Sequence, residues 1–365
     1  MERPRLRDIG VGIGTVPTGD YNAITDVPGV KVGHVTLITG EGRLRPGLGP
    51  VRTGVTAILP HGGNLFRSKV RAVAHVVNGF GKSIGLPQIT ELGNIETPIL
   101  LTNTLNVGSV ADALVEYMLD RNEDIGVTTG TVNPVVGECN DGYLNDIRGR
   151  HVKKEHVFAA IDNAVSGPVA EGAVGAGTGM STFDFKGGIG TSSRVLAAAD
   201  GGYTLGVLVL SNFGSRGELR IDGIPVGREI KDDADSRKED GSIMVVLATN
   251  APLSCRQLLR VAKRAAIGIA RTGSLASHGS GDFIIAFTTA GQEAAYPAQM
   301  VCPDERIAED GDYLMPFFRA AVDATEEAII NSLLRAETVV GRDNNRRDGI
   351  PVDQVVEILR RYHRI

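Results

Sequence analysis

Short runs of β-branched and apolar residues alternate along this chain with long amphipathic helical patterns, and that alternation limits the possible fold more than any other feature. The strand-like runs are Val30–Ile38, Gly54–Leu59, Val70–Asn78, Thr97–Asn103, Val195–Ala198, Tyr203–Ser211, Ile243–Thr249 and Phe283–Thr288. Val107–Arg121 and Cys255–Arg271 repeat apolar residues at steps of three and four, the second after the N-cap candidate Ser254. Pro316–Ala336 and Val352–Tyr362 read as further amphipathic helices. Strand pairs mixed with long helices in 365 residues predict an α+β or layered α/β/α architecture around a large core. Glycine, at 47 residues, is close to twice its usual share and Trp is absent, which predicts tight turns and strands packed closely through small residues.

Charge excludes some functions. The net charge is −5 with both signs mixed along the chain, and no basic block marks a nucleic-acid surface. No run approaches the roughly 20 apolar residues of a membrane helix, so no membrane partner is expected. The opening MERPRLRDIG lacks the apolar stretch of a signal peptide. Cys139, Cys255 and Cys302 are odd in number and show no CxxC spacing, which points to a reducing compartment, read as the cytoplasm.

Most familiar chemistries fail on spacing. Gly10-Val-Gly12-Ile-Gly14 and Gly175-Ala-Gly177-Thr-Gly179 match neither dinucleotide nor P-loop patterns and read as backbone turns. The His residues are scattered without metal-ligand spacing, and His151 and His156 fall in a charged stretch read as a solvated face. No catalytic metal or other cofactor is expected. Ser280, in HGSGDF, is close to a nucleophile elbow but lacks its second glycine.

One composition step offers a nucleophile of another kind. Lys231–Gly241 reads KDDADSRKEDG, and the apolar run SIMVVLATN follows at once, with Ser242 at the step. A Ser hydroxyl preceded by Gly can attack its own upstream carbonyl, because Gly leaves that carbonyl unhindered and tolerates strained angles. Hydrolysis of the resulting ester frees an α-amine whose ordinary pKa of about 7.7 suits a base at neutral pH. Nucleophile and base then share one residue, with Asn212 at the end of LGVLVLSN and Ser280-Gly-Asp282 before FIIAF as the natural polar partners. Taken alone, the step also fits an ordinary surface loop before a core strand.

At these residues the chain resembles the DmpA-type family of self-processing aminopeptidases, which includes the L-aminopeptidase/D-Ala-esterase/amidases and the β-peptidyl aminopeptidases. The resemblance runs through YNAITDVPGVKVGHVT, ETPILLTNTLNVG, GECNDGYLND, GGIGTSSR, VLSNFG, DGSIMVVLATNAPL and GSGDFIIAF, nearly the whole chain. It implies an αββα sandwich like that of N-terminal-nucleophile hydrolases, one catalytic domain over 1–365 cut into 1–241 and 242–365. It implies a tetramer of cleaved pairs as well. By the same resemblance Ser242 is the nucleophile, Ser280 and Asp282 orient and polarise it, and Asn212 supplies the oxyanion hole. Tyr143 stabilises the tetrahedral intermediate, and Glu138 receives the free amino group of a small peptide or amide. Where β-peptide-cleaving members carry Glu, this chain has Asp282, one methylene shorter, which leaves β-peptide specificity open. Two other functions compete: an acyltransferase of the ornithine acetyltransferase type, sharing the covalent intermediate, and a non-catalytic binder of small amino compounds. A binder has no need for so complete a polar set, since each buried polar group left unpaired costs about 1–3 kcal/mol.

Overall fold

The computed structural model describes residues 3–230 and 241–365. The charged stretch 231–240, which carries most of the composition step, lies outside the described residues.

Among the described residues a sheet of four strands joins β1 (Lys31–Thr39), β2 (Val51–Leu59), β4 (Ile99–Asn103) and β5 (Val135–Cys139), in the order β1-β2-β4-β5. A sheet of seven strands contains β3 (Ser68–Gly79), β6 (Ile189–Val195), β7 (Thr204–Asn212), β8 (Ser242–Thr249) and β9 (Gly281–Thr288), in the order β3-β9-β8-β7-β6, with two short strands on β3. Helices α1 (Val107–Leu119) and α2 (Lys154–Asp162) cover the smaller sheet. Helices α3 (Cys255–Arg271), α4 (Gly311–Leu334) and α5 (Val352–Arg361) cover the larger one. The layers therefore run helix, sheet, sheet, helix: the αββα sandwich.

Burial on both faces explains why β8 reads as an unbroken apolar run. Met244, Val246 and Ala248 join Leu208, Leu210, Phe283, Ile58 and Leu101 in the core between the sheets. Ile243, Val245 and Leu247 alternate to the other face and pack with Leu258, Val261 and Ile330 of the covering helices. Close approach accounts for part of the glycine excess. A Cβ at Gly190 of β6 would stand 1.9 Å from the Ala328 carbonyl oxygen of α4, and one at Gly33 of β1 would stand 2.1 Å from that of Ala160 in α2. Neither helix seats on its sheet without glycine there.

Local rules set the helix ends. Ser254 caps α3 as expected: its Oγ accepts the Gln257 N–H at 3.3 Å, and Gln257 Oε1 accepts the Ser254 N–H at 3.0 Å. Helix α4 begins earlier than its pattern suggests. Asp310 caps it, accepting the Asp312 N–H at 2.9 Å, and Pro316 lies inside the helix rather than at its start. The strand expected at Val195–Ala198 is displaced. It spans Ile189–Val195, and 198–200 forms a 3-10 turn. Its residues Thr191, Ser192, Ser193 and Arg194 are polar yet buried, and internal bonding makes that possible: Arg194 pairs with Glu327 at 2.7 Å and Thr191 Oγ donates to the Val207 carbonyl at 2.7 Å. His151 is not free on a solvated face either, since its Nε2 lies 2.9 Å from Oδ2 of the buried Asp146.

Candidate active site

Register brings three chain positions to one end of the larger sheet. Strand β7 finishes at Asn212, opposite Ser242 in the antiparallel pair with β8. Strand β9 starts at Gly281, opposite Ser242 in the parallel pair on the other side. Ser242 is thus flanked by Asn212 and Gly281 at the first position of its strand, and it is buried.

The Gly281 N–H is shared. It lies 3.2 Å from the Gly241 carbonyl oxygen and 3.3 Å from Ser242 Oγ. One backbone donor therefore touches both the carbonyl that Ser242 would attack and the oxygen that would attack it. Gly241 itself fits no side chain: a Cβ there would stand 2.4 Å from Phe213 Cα and 2.7 Å from the Asn212 carbonyl oxygen. Gly281 is confined in the same way, with a Cβ meeting the Phe80 carbonyl oxygen at 2.8 Å and Gly81 Cα at 3.0 Å.

Ser280 and Asp282 lie on one side of the chain, as period two requires, and the Ser280 hydroxyl donates to Asp282 Oδ1 at 2.6 Å. Both are buried, and Asp282 Oδ2 has no hydrogen-bond partner among the described residues. Burial pushes the Asp282 carboxyl above its ordinary value, partly offset by the Ser280 hydroxyl and the Ile243 amide. Strand alternation adds a detail. Asp282 shares its face with Ile284 and Ala286, on the helix side, whereas Ser242 shares its face with Met244, between the sheets. The carboxyl therefore addresses the backbone side of the nucleophile's strand and not the Ser242 hydroxyl.

The Asn212 amide is oriented by the chain. Its Oδ1 accepts the Ser181 N–H at 2.8 Å, which assigns the free donor, Nδ2, to the opposite end. Ser181 Oγ in turn accepts from Arg347 Nε at 3.1 Å, and the Arg347 guanidinium lies 4.0 Å over the Tyr143 ring. Tyr143, half-buried, thereby joins the Asn212 end of the site through two intervening residues.

Glu138 sits near the end of β5 and is buried. Its Oε1 accepts the Lys82 N–H at 3.0 Å, and its Oε2 accepts from the Thr104 hydroxyl. Among the described residues no Lys, Arg or His pairs with it. Only the Phe80–Lys82 segment separates it from Gly281, since a Cβ on Gly81 would be 3.3 Å from Glu138 Oε1. An uncompensated buried carboxylate is costly unless a cation comes to it.

Two contributors escaped the sequence. Asn78, at the end of β3, donates from Nδ2 to the carbonyls of Ser277 at 3.0 Å, His278 at 3.2 Å and also Ser280, so it ties down the turn before β9. Its place at the tip of an expected strand was the available signal. Arg347 had none, lying 105 positions beyond Ser242 in a polar stretch.

A model of peptidase family S58 matches residues 22–347. The chain belongs to peptidase family S58. Among the relatives of this S58 peptidase is a β-peptidyl aminopeptidase of Sphingosinicella xenopeptidilytica, 43% identical over 98% of this chain and 91% of that protein. Another, from Sphingosinicella microcystinivorans, is 45% identical over 100% of this chain and 94% of that protein. A solved protein of Pyrococcus horikoshii OT3 shares the fold with a TM-score of 0.95 and 55% identity, covering 99% of this chain and 100% of its own. The L-aminopeptidase D-Ala-esterase/amidase of Ochrobactrum anthropi, described as a prototype serine aminopeptidase with a variant Ntn hydrolase fold, superposes with a TM-score of 0.90. It has 42% identity and covers 99% of each chain. The S58 chain is accordingly a hydrolase of the serine aminopeptidase kind. Among its described residues no helix is long and apolar enough to cross a membrane.

Proposed function

We propose that the chain cuts itself between Gly241 and Ser242, and that Ser242 then hydrolyses short peptides, amides or esters carrying a free amino group. The Gly281 N–H shared between the Gly241 carbonyl oxygen and Ser242 Oγ carries this reading. In the first cycle Ser242 Oγ bonds to the Gly241 carbonyl carbon, the C–N bond breaks, and the departing nitrogen takes the hydroxyl proton. Water then cleaves the ester, leaving a carboxylate on Gly241 and a free amine on Ser242. In later cycles the amine takes the proton of Oγ as Oγ attacks the substrate carbonyl. The substrate C–N or C–O bond breaks, the departing amine or alcohol takes that proton, and water hydrolyses the acyl-enzyme to release the acid and restore Oγ–H. Asn212 Nδ2 and the Tyr143 hydroxyl serve as oxyanion donors, while Asp282, relayed through Ser280, balances the charge that develops on the amine. The single catalytic domain of 1–241 and 242–365, its assembly as a tetramer of cleaved pairs and its place in the cytoplasm belong to the same proposal.

Glu138 supplies the counter-charge for the substrate's ammonium. Glu138→Gln keeps the shape of the side chain and removes the charge, so it is expected to raise KM at least about 10-fold while kcat falls much less, the pattern of lost uniform binding. Steady-state kinetics on an aminoacyl nitroanilide checks the split. The N-acetylated substrate should be turned over by neither enzyme, and equal rates on free and acetylated substrates would remove the aminopeptidase reading.

A further inference from the structure

We infer that Arg347 is a positioning residue that holds the two oxyanion donors, Tyr143 and Asn212, in register with the nucleophile. The inference rests on the reading of those two side chains as donors to the developing oxyanion. Arg347 is buried, and its contacts reach towards both donors. Its planar guanidinium lies 4.0 Å over the Tyr143 ring, and its Nε donates to Ser181 Oγ at 3.1 Å. The backbone N–H of that same Ser181 fixes the Asn212 amide at 2.8 Å. The Asp184 carboxylate, 3.8 Å away, answers the charge. Neighbours in sequence grip the same loop: Asn345 Nδ2 donates to the Tyr143 carbonyl at 2.8 Å, and Arg342 Nε to that of Gly142 at 2.6 Å.

The connectivity gives these contacts a purpose. Tyr143, Ser181 and Asn212 all precede the Gly241–Ser242 bond, whereas Arg347 follows it, on the same side as Ser242. Once that bond is cut, Arg347 refers the donors of one fragment to the fragment that bears the nucleophile. A misplacement of about 1 Å in such donors costs on the order of 10²-fold in rate. Lysine cannot substitute. It has no plane to stack and no Nε–H fixed beside that plane.

The test uses the purified chain and a short aminoacyl nitroanilide, with Arg347→Lys, Arg347→Met, Tyr143→Phe, Asn212→Ala and the Tyr143→Phe/Arg347→Met pair. Arg346→Met serves as a control on an exposed neighbour paired with Asp348. Both Arg347 variants are expected to lose about 10-fold or more in kcat with KM within about 3-fold, and the double variant should be little worse than the poorer single one. The Arg346 control should match the unmodified chain. Arg347→Lys decides the matter if Arg347→Met does not fold. Unchanged kcat in Arg347→Lys overturns the inference, as do additive losses in the pair or losses that fall equally on kcat and melting temperature in both variants. Unmodified turnover in Tyr143→Phe and Asn212→Ala alike would show that the donors themselves were misassigned, and Arg347 would fall with them.

Discussion

Ser242→Ala is expected to leave the chain uncut and to lower turnover by about 10⁴- to 10⁶-fold, the range seen when the nucleophile of a serine hydrolase is removed. One oxygen does both jobs, so both should fail together. Folding should survive, because alanine leaves a small void at a strand end where, among the described residues, Ser242 Oγ accepts the Gly281 N–H alone, and that donor keeps the Gly241 carbonyl as its other partner. Gly241→Ala blocks the cut with the nucleophile intact, and turnover should fail with it because the Ser242 amine is never freed. Its methyl group has no room against Phe213 and the Asn212 carbonyl, so cleavage should stop while Oγ remains in place. Gel electrophoresis of both variants, followed by rate measurements, reads the result. Cleavage at the normal rate in Ser242→Ala would assign the nucleophile elsewhere.

Asp282→Asn is expected to lower kcat by about 10²-fold or more, in the range typical of general acid–base groups. The amide keeps the acceptor for the Ser280 hydroxyl but cannot balance positive charge on the Ser242 amine. Burial raises the Asp282 carboxyl above its ordinary value, so its ionisation costs more in the folded than in the unfolded chain. This group's contribution to stability therefore declines as pH rises through the carboxyl range, and the asparagine variant escapes that cost. Its melting temperature at neutral pH should be unchanged or higher. Activity should fall on the acid side as Asp282 takes up a proton, at a pH above the ordinary aspartate value of about 3.9, and the substitution should erase that limb. Asp282→Glu should retain measurable activity. Near-normal turnover in Asp282→Asn would leave the Ser242 amine as sole base.

The layered fold was largely legible because continuous apolar runs such as Ile243–Thr249 and the period of Cys255–Arg271 report burial directly, and the family resemblance named the αββα sandwich. Polar burial hid the rest. Strand β6 carries Thr191, Ser192, Ser193 and Arg194, whose partners, among them Glu327, lie far away in sequence. The site shows the same division. Ser242, Asn212, Ser280 and Asp282 sit at ends of strands with clear patterns, and pairing register alone brings them together. Tyr143 and Glu138 entered by resemblance, since no strand is expected at β5 and Tyr143 follows it in a turn. Asn78 and Arg347 act through long-range contacts that no local spacing encodes.

Under the proposed function Ser242 becomes a new N-terminus before it works. The direct measurement is intact mass and N-terminal sequencing of a purified sample whose turnover has been recorded. Two co-purifying fragments are expected, residues 1–241 and 242–365, roughly two thirds and one third of the 38.5 kDa chain, the smaller beginning Ser-Ile-Met-Val. A fully active sample containing only the uncut chain, or a fragment beginning at any other residue, would contradict the proposal.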